Sequence, residues 1–178
     1  MSMNTQSAKT NSSKRKGKGR WWKTLAQYAL VLIVVSAAMD WWHSRHMPQQ
    51  VAPPLETQSL TGQTVDVIKM SQQQPVVLYF WATWCGACRL VTPTVNWLSE
   101  FYPVVTVALS SGSGERVQQY LKHHNYPLST LNDPKGALAK EWGVRVTPTI
   151  VILHKGEIRR ITTGITTPVG LLVRLWSA

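Results

Sequence analysis

Two cysteines, Cys85 and Cys88, are the only thiols in 178 residues, and two residues separate them. A continuous apolar run, Val76–Phe80, is introduced by Pro75 and precedes the pair, while Leu90, Val91, Val95 and Leu98 recur after it at helical spacing. The first cysteine therefore falls at the amino-terminal end of a helix that leaves a central strand. There the unpaired backbone N–H groups and the positive end of the helix dipole favour a thiolate, lowering a thiol pKa from about 8.5 into a range of roughly 3.5 to 7.5. Cys85 is the candidate nucleophile. Cys88, one turn inward, is placed to attack a mixed disulfide on Cys85 and release the substrate. Gly86-Ala87 between them carries no charge and tunes the centre only through backbone and packing.

Other chemistries of the pair are open at this point. A purely structural disulfide would close a two-residue loop and remove little chain entropy. Two cysteines are half the ligands of a closed four-cysteine zinc site, and no second pair exists. Copper(I) held by two soft thiolates is the alternative function. His43, His46 and Met47 are candidate soft-metal ligands or a solvated segment, and His123-His124 reads as a solvated helix end. No metal site and no cofactor are expected, and Trp81, Trp84 and Trp97 read as core and site-wall residues.

A second element stands at Val146-Thr147-Pro148-Thr149, directly before a strand. Pro148 is either an ordinary strand starter or a cis-proline that turns an unpaired backbone edge toward the cysteines. Both isomers fit the sequence.

The elements that must position these residues alternate along the chain. Leu60–Val67 alternates around Gly62 and suggests an opening hairpin. Strands are expected at Val76–Phe80, Val104–Leu109 and Thr149–Leu153, with helical stretches at Glu115–His124 and Gly136–Trp142. A turn at His154–Glu157 feeds Ile158–Ile161, and Pro168 opens a final helix to Trp176. This order predicts an α/β domain with a central mixed sheet flanked by helices over residues 55–178, a size sufficient for one hydrophobic core.

Charge and hydropathy separate that domain from the rest. The net charge is +11, and Lys9, Lys14, Arg15, Lys16, Lys18, Arg20 and Lys23 place seven of those charges in the first 23 residues, with no acid among them. The remainder carries only +4, so nucleic acid is not an expected partner. Residues 1–20 have little to bury and read as a disordered basic cytoplasmic tail. Trp21-Trp22 and Trp41-Trp42 bracket a mostly apolar run; the 22 residues from 21 to 42 rise roughly 33 Å as a helix, close to a bilayer's hydrocarbon thickness. Indole rings suit both membrane interfaces, and the basic residues before the run put the amino terminus in the cytoplasm. The expectation is one retained transmembrane helix in the lipid bilayer; a cleaved signal peptide with small residues at Ser36-Ala37-Ala38 and a buried core helix are the competing readings. Residues 43–54, with Pro48, Pro53 and Pro54, read as a linker holding the domain outside the membrane.

The stretch Val77–Arg89, with Pro93 downstream, together with Val144, Thr147, Pro148, Thr149, Gly156 and Gly164, resembles the thioredoxin superfamily over about residues 55–176. In particular it is similar to membrane-tethered extracytoplasmic members. Asp40-Trp41-Trp42, Asn132-Asp133 and Val173-Arg174-Leu175-Trp176 resemble the suppressor-of-copper-sensitivity protein D group of bacterial disulfide oxidoreductases. The resemblance implies a thioredoxin-like fold and a protein-disulfide oxidoreductase, with Cys85 exposed and nucleophilic, Cys88 resolving, and Trp84, Thr147 and cis-Pro148 in contact with substrate. It implies a periplasmic domain on a single-pass inner-membrane anchor, linked to copper and redox stress. Extracytoplasmic thiol or disulfide proteins would be its substrates and a transmembrane thiol reductase its electron donor. Three positions depart from the family: Tyr79 stands where thioredoxin has a buried Asp, Ala87 where it has Pro, and Val91 where cytochrome-c-maturation relatives often carry Glu.

Overall fold

In a computed structural model, the chain is described over residues 18–44 and 51–177. It divides into two compact units, residues 1–38 and 39–178. The basic tail expected over 1–20 lies almost wholly outside the described residues. So does the middle of the linker.

Helix α1, Lys18–Ser44, contains the apolar run. Leu25, Tyr28, Leu30, Val31, Leu32, Ile33, Val34 and Val35 are all exposed, and the apolar side chains have no preferred face. The side chains described without interruption run only from 24 to 35, and among the described residues no helix is long and apolar enough to cross a membrane.

The second unit opens with an antiparallel pair, β1 Glu56–Gln58 and β2 Thr64–Asp66, in the register Thr57↔Val65. The hairpin expected at Leu60–Val67 is thus present but starts earlier. Val67 begins a short helix instead, α2 Val67–Ser71, capped by the Asp66 carboxylate, which accepts from the Lys69 N–H at 2.9 Å.

Five strands form the main sheet in the order β5-β4-β3-β6-β7, where β3 is Val76–Trp81, β4 Val104–Leu109, β5 Ser129–Asp133, β6 Thr149–His154 and β7 Glu157–Thr163. Strands β3, β4 and β5 are parallel, and β6 pairs antiparallel with both β3 and β7. Helices α3 Gly86–Leu98 and α4 Gly114–His123 make the two parallel crossovers, α5 Ala137–Glu141 follows β5, and α6 Pro168–Trp176 closes the fold.

Strand β3 is central and all six of its residues are buried. Val77, Tyr79 and Trp81 pack on one face against Val91, Val95 and Leu98 of α3, with Leu171 and Leu175 of α6 in the same cluster. Leu78 and Phe80 join the opposite core with Val67, Trp142 and Val151. Helices on both faces explain why the strand reads as unbroken apolar sequence rather than as an alternation.

Strand β5 is not evident in the sequence because Ser129, Thr130, Asn132 and Asp133 are polar. Its buried hydroxyl is satisfied inside the sheet: Trp81 Nε1 donates to Thr106 Oγ1 at 3.1 Å, Thr106 Oγ1 lies 2.8 Å from Thr130 Oγ1, and Thr130 Oγ1 donates to the Leu128 carbonyl at 3.0 Å. Thr106→Val removes the acceptor of a fully buried indole N–H. Urea unfolding is expected to show a loss of about 1–3 kcal/mol with an unchanged denaturant slope.

Candidate active site

Chain direction fixes where the cysteines lie. Strand β3 runs from Val76 to Trp81 and delivers Ala82–Trp84 to the carboxyl end of the parallel strands, after which Cys85 stands at the cap position of α3. Cys85 has extended backbone and its sulfur accepts from the Cys88 N–H at 3.1 Å. A helix start leaves its first N–H groups without intrahelical partners. Here a sulfur takes the place of the usual Ser or Asp oxygen, so negative charge arising on that atom is stabilised by the bond and by the helix dipole.

The two cysteines form a disulfide. Both cysteines are buried, Cys85 at 6% and Cys88 at 1%, so the exposed Cys85 that the resemblance implies is corrected: in the disulfide form it is only the more accessible of the two. Gly86 is exposed with a negative φ, and a Cβ there would meet nothing within 4 Å. The position does not require glycine on steric grounds. Ala87 is half-buried against the α3 core.

Trp84 is 63% exposed and fixed by its indole N–H, which donates to the Ser110 carbonyl at 3.0 Å. Thr83 N–H donates to Ser111 Oγ at 3.0 Å, and that hydroxyl donates to the Leu109 carbonyl at 3.1 Å. The loop after β4 thereby holds the segment leading into the cysteines. Ser110 adopts φ 47°, a left-handed conformation that aims its carbonyl at the indole. Neither serine stands out in the sequence. The available signal is a Ser-Ser-Gly-Ser-Gly run at the carboxyl end of a strand parallel to the one carrying the cysteines.

The Thr147-Pro148 peptide is cis. Because Thr149 pairs with Phe80, Pro148 stands beside the end of β3 from which the cysteine loop departs. Pro148 is buried and Thr147 half-buried; the Pro148 carbonyl accepts from the Gly164 N–H at 2.8 Å and the Val146 carbonyl from the Thr149 hydroxyl at 2.8 Å. The fold thus brings Trp84, Cys85, Thr147 and Pro148 to one end of the sheet. Trp97 does not join them: it lies near the carboxyl end of α3, packed edge-on to Phe101 at 5.3 Å, so its reading as a site wall is corrected.

Beneath the cysteines, Tyr79 is fully buried and its hydroxyl lies 3.0 Å from Thr92 Oγ1, which donates to the Cys88 carbonyl at 2.7 Å. Since Thr92 has one proton and gives it to that carbonyl, Tyr79 is the donor in the upper bond. Burial raises the Tyr79 phenol well above its ordinary 10.0, with the Thr92 bond opposing and nearby Tyr120 and Tyr126 adding to the rise. The phenol stays neutral through the physiological range. Tyr79, expected as a site-tuning residue, is thus a fixed hydrogen-bond donor beneath the cysteines, and Thr92 is a second residue of that chain which the sequence alone does not reveal.

A cysteine pair capping the first helix after a central buried strand, opposed by a cis-proline loop, defines a thioredoxin-like protein-disulfide oxidoreductase. Residues 48–161 match the AhpC/TSA family, and the chain belongs to it. It is 43% identical over 150 residues to a thioredoxin-like protein of Haemophilus influenzae, covering 84% of this chain and 89% of that one. It is 36% identical over 110 residues to a thiol:disulfide interchange protein DsbE homologue of Paracoccus denitrificans, covering 60% and 61%. Among solved structures it superposes on the exposed lipoprotein thioredoxin Etrx1 of Streptococcus pneumoniae with a TM-score of 0.64 at 26% identity, covering 71% of this chain and all of that one.

Thr92→Val orphans the buried Tyr79 hydroxyl and is expected to cost about 1–3 kcal/mol, whereas Tyr79→Phe removes the donor with its group and costs about 1 kcal/mol or less. Denaturant titrations of both variants check the order. Because the folded phenol titrates above the unfolded one, its contribution is intact below pH 10 and falls as pH rises further. Wild type should lose stability relative to Tyr79→Phe only on that alkaline side.

Proposed function

We propose that the protein is a membrane-tethered extracytoplasmic enzyme that reduces or exchanges disulfides in other proteins and receives its electrons from a transmembrane thiol reductase. The observation carrying the redox role is the Cys88 N–H to Cys85 Sγ bond at the head of α3. In the reduced enzyme the Cys85 thiolate attacks a substrate disulfide, forming a mixed disulfide and expelling one substrate thiolate. The Cys88 thiolate then attacks Cys85 Sγ, expels the second substrate thiolate and closes the Cys85–Cys88 bond. Two electrons pass to the substrate. A dithiol donor restores the enzyme by the reverse sequence, entering at the more accessible Cys85.

Trp84, Thr147 and Pro148 would form the contact surface for the substrate segment beside the cysteines. The extracytoplasmic placement rests on the Trp-bracketed apolar run of 21–42, whose described side chains in α1 are exposed on every face, a condition that suits lipid better than water. It also rests on the basic residues that precede the run. A link to copper stress rests on the resemblance of the Asp40-Trp41-Trp42 and carboxyl-terminal motifs. The alternative reading is a copper(I) carrier that uses the same two thiolates; of the candidate soft ligands in the linker, His46 and Met47 lie outside the described residues.

The full chain should reduce insulin with dithiothreitol, and Cys85→Ser should abolish that activity while Cys88→Ser accumulates a mixed disulfide on Cys85, read by mass spectrometry. Activity surviving Cys85→Ser sinks the redox reading. The potential of the couple decides the direction: a value near the roughly −270 mV of thioredoxin makes the protein a reductant, and one near roughly −120 mV an oxidant.

A further inference from the structure

Every observation about the cysteines concerns one end of the sheet, and the opposite end has its own character. The β6–β7 turn lies there, because Leu153 and Val76 pair at the start of β3. Val51 bridges Glu157 at that turn, and Ala52 N–H donates to the Gly156 carbonyl at 3.2 Å. Ala52 and Leu55 are buried, so the second half of the expected linker is built into the domain. The chain therefore joins the domain at the end opposite the cysteines. Residues 45–50 connect the two described stretches, and the seven steps from Ser44 to Val51 reach at most about 25 Å.

The same end carries aromatic side chains that the core does not use. Helix α3 runs back from the cysteines and ends there at Leu98, with Trp97 in its last turn and Phe101 in the turn that follows, 41% and 60% exposed, just before Pro103, whose carbonyl accepts from Val77 N–H. Helix α6 starts beside the cis-proline loop, where Gly164 bonds Pro148, and runs to the far end, finishing with Trp176 at 86% exposure. Val51 is 77% exposed. Lys69 of α2, Lys122 at the end of α4 and Lys155 in the β6–β7 turn are exposed at that end, against Asp66 at the cap of α2, Glu100, and a Glu157 that pairs with Arg159 at 3.4 Å.

We infer that this end of the domain is a lipid-docking surface: Trp97, Phe101, Trp176 and Val51 enter the headgroup layer of an anionic bilayer, and the cysteine end faces away from it. Indole and phenyl groups beside lysines match the chemistry of a membrane interface. A connection of six residues keeps such a surface within reach of the bilayer, so docking costs little additional ordering. This inference rests on the membrane anchor proposed above. It adds an orientation in which the cysteines stand a domain length from the lipid and reach partners that project from the membrane.

Hydroxyl-radical footprinting of the full chain in nanodiscs of phosphatidylcholine and phosphatidylglycerol tests it residue by residue. Protection factors at Trp97, Phe101 and Trp176 are expected to exceed that of Trp84 by about fivefold or more, as interfacial burial requires, and to fall toward it when Lys69, Lys122 and Lys155 are changed to Glu. Equal labelling of Trp176 and Trp84 in a chain that stays in the disc through an alkaline wash overturns the docking and leaves the anchor intact. A chain washed off the disc defeats the anchor; adding that chain to phosphatidylglycerol vesicles then decides the surface, protection sustaining it and none overturning it. Protection seen only after addition of a membrane-protein extract replaces lipid with a protein partner and overturns the inference.

Discussion

The hydrogen bond from Cys88 N–H to Cys85 Sγ, 3.1 Å long at the head of α3, is the contact on which the remaining architecture converges. It exists because a strand buried on both faces ends at Trp81 and three residues later the chain turns into a helix whose first donors have no partners. A sulfur in that cap is stabilised as an anion by the same geometry that starts the helix. The site is therefore a property of the strand-to-helix junction rather than of a pocket. Ser110 and Ser111 fasten the junction from the next strand, and the Pro148 loop closes it from the other side.

Beneath the junction the protein uses hydroxyls where a buried carboxylate stands in thioredoxin. Tyr79 donates to Thr92 and Thr92 to the Cys88 carbonyl, a chain of fixed direction that ends on backbone. A neutral phenol cannot accept a proton near neutral pH, so it cannot serve as a base for Cys88. It fixes the first turn of α3 without adding charge under the disulfide.

Much of this was legible in residue order. The Val76–Phe80 run, the Cys-x-x-Cys spacing and the helical recurrence of Val91, Val95 and Leu98 define the junction because each is a local signal with one geometric solution. Pro148 was locatable but its isomer was not, since that depends on the strands around it. Strand β5 was hidden because Leu131 is its one apolar residue, and its buried Thr130 is accommodated by a hydroxyl contact with Thr106 of β4 rather than by apolar patterning. The helix starting at Val67 was hidden by a hairpin pattern that continues into it, and Thr92 by a sequence in which it is one hydroxyl among many. Trp97 illustrates the reverse error. Its type suggested a site wall, yet helical geometry carries it to the far end of α3.

Two ends of one sheet thus divide the work: one ends the strands in a redox junction, while the other receives the chain and displays aromatic side chains. The central claim remains the asymmetry of the two thiols. Alkylation of the reduced protein by iodoacetamide as a function of pH, followed residue by residue with mass spectrometry, tests it most directly. The account predicts rapid labelling of Cys85 with a midpoint well below the ordinary thiol value of about 8.5, and slow labelling of Cys88. Equal labelling of both cysteines with a midpoint near that value would contradict it.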